Sequence, residues 1–568
     1  MLLSSWIRGF QQRLLVHRAA KPRRRTSQFG PTVADVEVLE ERRLLSGFAP
    51  TDGASVVEAW TGNYQAVKIQ PGDQKIVAAG TATAPLPGGV AVERYDSQGN
   101  ADATYHSGGL SNLAGMTMSS GHALALQPDG KAVVAGDAVV AGSRDVGVAR
   151  LNVNGSLDSG FGTGGFDTFS IQPGADAAYG VGLQSTGKIV VSGSSLNSTL
   201  STAVYSAFVA RFTATGAIDS GKGGFGKVVH GNATGDTLTS FGQAGSGSTG
   251  SGLGQIAVQP DDMVVAVGGF TPDGVTTELV VARYTAAGAL DTTFNGKGYS
   301  VFLPAGISST NGTSVALQSD GRIVVAGYCS GVDGRADMLV ARFNSNGTLD
   351  TSFGGGAGYV RFDVDGTASV TAEIGNGVVI QTDGKIVVGG YERGSGPSNV
   401  LVARFNADGT LDQTFAPGGF KLGAPPAGHS FAGAAVALEA DGSIIVAGSD
   451  AWTDNSSHPL LMRFFGSSTP AGALRASGSA ALAPSDAPQT AIQTLTQPAG
   501  NMAFAGPFVS NDGFINPSQP ASTAIQVGGA VTPATPVNGG ASADDLTGAT
   551  IDLFDSHGTN LLKGRNRR

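Results

Sequence analysis

The stretch Gln381–Phe405, QTDGKIVVGGYERGSGPSNVLVARF, decides how the rest of the chain is read. Asp383-Gly384 stands between two apolar runs, Val378-Val379-Ile380 and Ile386-Val387-Val388. An Asp-Gly pair in that setting favours a hairpin turn, because both central residues accept positive φ. The β-branched run after it suits a pleated, packed surface. A variable loop then leads to Leu401-Val402-Ala403-Arg404-Phe405. The segment predicts strand, tight turn, strand, loop, strand.

The same order of residues recurs along the chain. Its Gln falls at Gln70, Gln127, Gln184, Gln259, Gln318 and Gln381, with Glu439 in a seventh copy. The steps are 57, 57, 75, 59, 63 and 58 residues. The Arg of the later strand falls at Arg94, Arg150, Arg211, Arg283, Arg342, Arg404 and Arg463. Two separate anchors thus count seven copies. After the Arg come Asn/Asp-Gly turns and a Leu-Asp-x-x-Phe segment, as at Leu349–Phe353, then a short strand such as Gly358–Phe362. A period near 60 with four short strands per copy predicts an all-β fold, a seven-bladed β-propeller. The segment Ser55–Trp60 is expected to lead the first copy, so that closure needs no strand donated from elsewhere; the alternative is a ring that mixes N- and C-terminal strands in one blade. Before each Gln, large residues (Val67, Ile69; Leu124, Leu126) alternate with small ones (Ala123, Ala125). That pattern predicts a strand buried on both faces.

Three blocks in fixed order, Q-x-D-G-K-I-V-V-A-G, V-A-R-F-N and L-D-x-x-F-G-x-G, resemble the delta-60 repeat, a bacterial repeat assigned to the β-propellers. The resemblance covers about residues 51–466 and implies the fold, with no activity attached. Near the N-terminus, Leu39–Ser46 (LEERRLLS) follows a basic stretch and resembles the LEPR-XLL motif of planctomycete-type exported proteins, with Glu41 where that motif has Pro. This second resemblance implies export to the cell envelope or exterior. The domain organisation is then 1–47, a basic targeting or sorting segment; 48–466, the repeat domain; and 467–568, a tail rich in Ala, Ser, Thr, Pro and Gly, which buries too little apolar surface to order itself. The long third step holds an insertion near His230–Gly254, expected to form a rim loop.

Composition agrees with this organisation and excludes several function classes. Gly reaches 87 of 568 residues, about twice the usual ~7%. Net charge is −9, and residues 1–47 carry nine Lys/Arg against four Asp/Glu. A general nucleic-acid binder is excluded, since phosphate neutralisation needs clustered basic residues. No apolar run reaches the ~18 residues of a membrane span. The single Cys, Cys329, excludes an intrachain disulfide and a CxxC site.

Candidate functional residues come from where the copies agree and where they differ. Each of the first six Arg residues is followed eight positions on by Asp: Arg94–Asp102, Arg150–Asp158, Arg211–Asp219, Arg283–Asp291, Arg342–Asp350 and Arg404–Asp412. A fixed offset predicts structural ion pairs within each copy. The seventh copy lacks the Asp, which predicts a freer Arg463. Asn-x-Asn-Gly-x-Leu-Asp, as at Asn344–Asp350, is weighed as a calcium loop. It lacks the distal Glu and further oxygen ligands of such loops, and turn chemistry accounts for its Asn and Gly. The variable, mostly polar position lies five residues before the Gln: Gln65, His122, Tyr179, Gly254, Thr313, Asn376 and Ala434. If that strand is innermost, Gln65, His122, Tyr179, Thr313 and Asn376 form a candidate binding ring at a mouth of the central channel. The seven His residues show no metal-ligand spacing, and no catalytic set or cofactor site is identified. The sequence therefore points to an exported or cell-surface monomer acting as a binding or scaffold module for a protein or glycan. The alternative is a propeller enzyme, a hydrolase, lactonase or quinone-type dehydrogenase with its site in the channel.

Overall fold

The computed structural model describes residues 47–48, 52–57 and 60–466, apart from 85–87, 107–108, 114–117, 198–203, 221–224, 231–249, 272–275, 332–333 and 365–369. The LEERRLLS motif, the tail 467–568 and most of the insertion lie outside the described residues. Residues 250–254, counted with the insertion in the sequence, belong to the strand Gly250–Val258.

Strands make up more than half of the described chain, and none of the described residues is α-helical. No described helix is long and apolar enough to cross a membrane. In the sixth copy Val370–Ile380, Ile386–Gly394, Asn399–Phe405 and Phe420–Gly423 pair antiparallel in that order. The copies whose first strands begin at Thr61, Met118, Asp176, Gly250 and Ile307 repeat the arrangement. Two pairs of neighbouring groups touch through one parallel residue pair each, Tyr205 with Gly250 and Ala336 with Ala372.

The last copy departs from this order and corrects an expectation. Its strands His429–Leu438, Ile444–Trp452 and Ser457–Phe464 are joined by Ala54–Val57, with Ala54 opposite Arg463 and Val57 opposite Leu460. The N-terminal strand therefore completes the last sheet and does not lead the first copy. The reason is an open edge: the seventh copy has no Leu-Asp-x-x-Phe segment after its Arg, and without Ala54–Val57 the strand Ser457–Phe464 would present unpaired backbone groups. Asp52 adds side-chain contacts beside the pairing. Its carboxylate accepts from Phe465 N at 2.6 Å and meets Lys421 Nζ at 2.6 Å.

Apolar residues gather between consecutive sheets. Val77 and Val92 of the first copy pack with Val134 and Leu151 of the second, and Val387 and Val402 of the sixth pack with Val446 and Met462 of the seventh. Ile445 and Leu461 of the seventh pack with Ile76 and Tyr95 of the first, so the succession returns to its start. The third strand Gly89–Tyr95 is buried at every residue, whereas the first strand Thr61–Ile69 alternates between buried and half-buried. Burial on both faces thus belongs to the middle strands, which lie between neighbouring sheets. The first strands were expected to have it, but they keep one face towards the cavity described below.

The seven Arg residues hold the sheets together, and their role is wider than the spacing predicts. Within its copy each of the first six meets its Asp: Arg94 Nε donates to Asp102 at 2.7 Å and Arg150 Nε to Asp158 at 2.8 Å. Arg211, Arg283 and Arg342 do so at 2.7 Å and Arg404 at 2.8 Å, to Asp219, Asp291, Asp350 and Asp412. The Phe of Leu-Asp-x-x-Phe lies under the guanidinium, with Arg404 4.7 Å from the Phe415 ring centroid. The other end of each guanidinium reaches the next copy. Arg94 and Arg150 donate to the carbonyls of Val153 and Ala214 at 2.6 Å, and Arg283 donates to Ser345 O at 2.5 Å. Arg211, Arg342 and Arg404 donate to the carbonyls of Ala286, Ala407 and Gly466.

Arg463 is not freer, contrary to expectation. Its Nη1 donates to Ser97 O of the first copy at 3.0 Å, and its Nη2 lies 2.7 Å from Glu439 Oε2. Glu439 occupies the position held by Gln in the other copies. The one copy without the Asp has a carboxylate there, and the charge is restored from the turn that follows His429–Leu438.

Each first strand also carries a β-bulge. The pairing register skips Gln65, His122, Tyr179, Thr313, Asn376 and Ala434, and in the fourth copy Gly254 and Gln255. Facing the bulges stand Gly80, Gly136, Gly193, Gly268, Gly327, Gly390 and Gly448, where a Cβ would lie 1.8–2.0 Å from a carbonyl oxygen of the first strand. These glycines, which look like strand ends in the sequence, lie inside strands: Ile323–Gly331 runs on past Gly327.

Two outcomes are expected. Gly327→Ala forces a Cβ against the Asn311 carbonyl and should destabilise by about 3 kcal/mol. Gly396→Ala, with no heavy atom within 4 Å, should be nearly neutral; chemical denaturation giving equal costs would contradict the bulge constraint. The second outcome concerns acid. Burial pushes the Asp412 carboxyl up, but hydrogen bonds from Thr414 and the charges of Arg404 and Lys385 outweigh it and bring its pKa down to about 2. Folded Asp412 therefore releases its proton more readily than the unfolded chain, whose Asp titrates near ~3.9. Its stabilisation is complete above that value and is lost as pH falls towards about 2. The melting temperature should drop across this window, and the drop should be shallower in Asp412→Asn. Arg404→Met, which leaves the buried Asp412 carboxylate with Lys385 as its one cation beside the Thr414 hydrogen bonds, should cost about 3 kcal/mol at neutral pH.

Candidate functional site

The bulge is what assembles the site. An extra residue in one strand interrupts the pleat and re-aims its side chain. Because every first strand is bulged at the same place, seven re-aimed positions meet. Gln65, His122, Tyr179, Gly254, Thr313, Asn376 and Ala434 all line one cavity of about 320 Å³, together with Asn63, Tyr64, Gln255, Ala432, Gly433 and Ser449. The five predicted ring residues are thus brought together. The alternation from which their facing was argued does not carry through the bulge.

The ring positions divide by what they already hold. Thr313 Oγ1 donates to Gly375 O in the next sheet, and Asn376 Nδ2 donates to Gly433 O in the one after, at 2.7 Å. Ser192 Oγ donates to Gly254 O at 2.6 Å across a third junction. In this half of the ring the side chains latch one bulge to its neighbour. Gly254 has a structural reason of its own, since a Cβ there would sit 3.0 Å from Thr313 O.

The other half is built differently. His122 Nε2 lies 2.9 Å from Asp137 Oδ1, and its Nδ1 meets Gln65 Oε1 of the preceding sheet. Ser119 Oγ donates to Asp137 Oδ2 at 2.5 Å. The exposed guanidinium of Arg144 lies 3.8 Å from the same oxygen. Burial raises the Asp137 carboxyl, but the hydrogen bonds from His122 and Ser119 and the nearby charges outweigh it, so its pKa lies below the ordinary value. A buried carboxylate thus fixes the imidazole from behind. The His122 ring lies 5.1 Å from the ring of Tyr179, which is 40% exposed. Tyr179, Gln255 and Ser449 make no hydrogen bond through their side chains to any described residue.

Asp137, Gln255 and Ser449 were missed by the sequence reading. Asp137 and Ser449 occupy the residue after the bulge-facing Gly, where other copies have Thr81, Ser194, Gly269, Tyr328 and Tyr391. That variability was a usable signal, but it was hidden by taking the Gly as a strand end. The weighed calcium loop is occupied by its own turn: Thr348 Oγ1 donates to Asn346 Oδ1 at 2.8 Å, and Asp350 is held by Arg342. Among the described residues no group of three or more His, Cys, Asp and Glu side chains is arranged to hold a metal ion. Cys329 is fully buried between sheets, and burial together with the charge of Asp337 pushes its thiol up to about 12.

Comparison with known proteins adds the following. A solved protein of unknown function from Dyadobacter fermentans is 12% identical, covering 72% of this chain and 97% of its own, with a TM-score of 0.38. A polysaccharide lyase (ulvan lyase) solved with a bound saccharide is 10% identical over 73% of this chain and 97% of its own, with a TM-score of 0.42. A PQQ-bound aldose sugar dehydrogenase from Streptomyces coelicolor is 13% identical over 60% of this chain and 94% of its own, with a TM-score of 0.32. None of these likenesses bears on chemistry. No curated protein sequence matches the chain. Six segments, 127–161, 184–221, 259–294, 318–353, 381–415 and 439–470, match the family described as "Domain of unknown function (DUF5122) beta-propeller", each starting at one of the six later Gln or Glu anchors. These six segments, 212 of the 568 residues, make the chain similar to that β-propeller repeat family.

Proposed function

We propose that this protein is an exported binding module, a seven-bladed β-propeller of delta-60 type whose central cavity receives a ligand at the cell envelope. The observation that carries the reading is the contrast at the bulge. The Arg, the bulge-facing Gly and the turn repeat from copy to copy, while the seven bulged residues differ and line one cavity. A framework that only needed to close would not require Gln, His, Tyr, Thr and Asn in equivalent places. Two of these, Thr313 and Asn376, also serve the framework, so the ligand-facing part is the side bearing Gln65, His122 and Tyr179. Binding is favoured over catalysis because both ring nitrogens of His122 are engaged, by Gln65 and Asp137, leaving neither to take a substrate proton. Export rests on the LEPR-XLL-like segment Leu39–Ser46 and the basic residues before it.

Ligand-observed NMR of the full chain with a mixed small-molecule fragment library is expected to give hits whose binding falls at least about tenfold in the Gln65→Ala/His122→Ala variant, with its melting temperature held near the parent's. Hits indifferent to that variant would remove the cavity from consideration. Fractionation should place the protein in the envelope or medium, and an intact cytoplasmic protein would refute export.

A further inference from the structure

We infer that the cavity takes a neutral, polyhydroxylated ligand, a mono- or disaccharide, stacked on Tyr179 and hydrogen-bonded by Gln255 and Ser449; this rests on the cavity being the binding site. Three features of the wall lead there. The first is charge. No Asp, Glu, Lys or Arg is among the lining residues. The one carboxylate behind the wall, Asp137, is 1% exposed and already held by Ser119 and His122. No Lys or Arg side chain lines the wall to meet an anionic ligand, and a cationic one would find a carboxylate whose charge is already engaged.

The second feature is the type of polar group. Amide, hydroxyl and phenol side chains both donate and accept, as sugar hydroxyls do. On Tyr179, Gln255 and Ser449 these groups are uncommitted to any described residue. They stand on three different sheets, so a ligand engaging all of them must present hydroxyls in several directions. A flat aromatic metabolite would not do so.

The third feature is shape. Tyr179 is one of the few large apolar side chains left exposed, and its exposed ring belongs to the cavity wall. A ring face beside amphoteric polar groups suits the apolar C–H face of a pyranose. Room is made where two other bulge positions carry Gly254 and Ala434. The volume of about 320 Å³ lies at the small end of the ~300–1,000 Å³ range of ligand pockets, which limits the occupant to one or two sugar rings.

Isothermal titration of the full chain against cellobiose, N,N′-diacetylchitobiose, glucuronic acid and inorganic phosphate tests the inference. The expected result is binding of a neutral disaccharide and none of glucuronic acid or phosphate. Affinity should fall at least about tenfold in Tyr179→Ala and in Gln255→Leu, and stay within about threefold in Tyr179→Phe, which keeps the ring. Preference for glucuronic acid or phosphate overturns it, as does neutral binding unchanged in both Tyr179→Ala and Gln255→Leu. Failure of both disaccharides while library fragments still bind through Gln65 and His122 overturns the ligand class and leaves the cavity as the site. Loss of fragment binding as well overturns the site itself.

Discussion

A carbonyl oxygen within 2 Å of where a Cβ would stand is the constraint on which this molecule's useful geometry depends. At the middle of each first strand the chain gains one residue over its partner, and the displaced carbonyl presses on the facing strand. Only glycine leaves room for it. The bulge then turns the extra side chain out of the pleat, and seven such turns point side chains into one space. Without the glycines the first strands would pair regularly, and the cavity would lose the positions that give it chemistry.

Holding such sheets in succession falls to a second device. Each Arg is anchored by a carboxylate in its own sheet, laid over an aromatic ring, and bonded to a carbonyl of the next sheet. A planar guanidinium can serve all three at once, which an ammonium could not. The seventh copy shows how strong the demand is. It lacks the usual Asp, yet Glu439 supplies the carboxylate, Ser97 supplies the carbonyl, and Phe48 and Phe465 place rings 5.8 and 5.7 Å from the guanidinium. The N-terminal strand Ala54–Val57 completes the same sheet by backbone pairing, and Arg463 bonds that sheet to the Ser97 carbonyl of the first copy.

Much of this was legible in the residues. Asp383-Gly384 and its equivalents announce hairpins, and the eight-residue offset from Arg404 to Asp412 announces a contact, because both are local and both repeat. The ring of variable positions was legible for a related reason: disagreement stands out against a uniform background. Contacts that depart from the repeated spacing were not legible. Arg463 seemed unpaired because its partner was sought eight residues on, whereas it lies 24 residues earlier in the chain, at a position read as the framework Gln. Asp137 was missed because Gly136 was taken to end a strand that in fact continues to Val140.

The sequence by itself determined the strand period, the turns, the seven copies and the set of positions free to differ, since these follow from local backbone preference and from repetition. Only the tertiary structure decided which faces are wet, where the ring positions point and how the ends meet. Those depend on what packs against each strand from neighbouring copies some 60 residues away. A middle strand becomes fully buried because a sheet lies on either side. A bulged residue becomes a candidate ligand contact because six others are turned towards the same space.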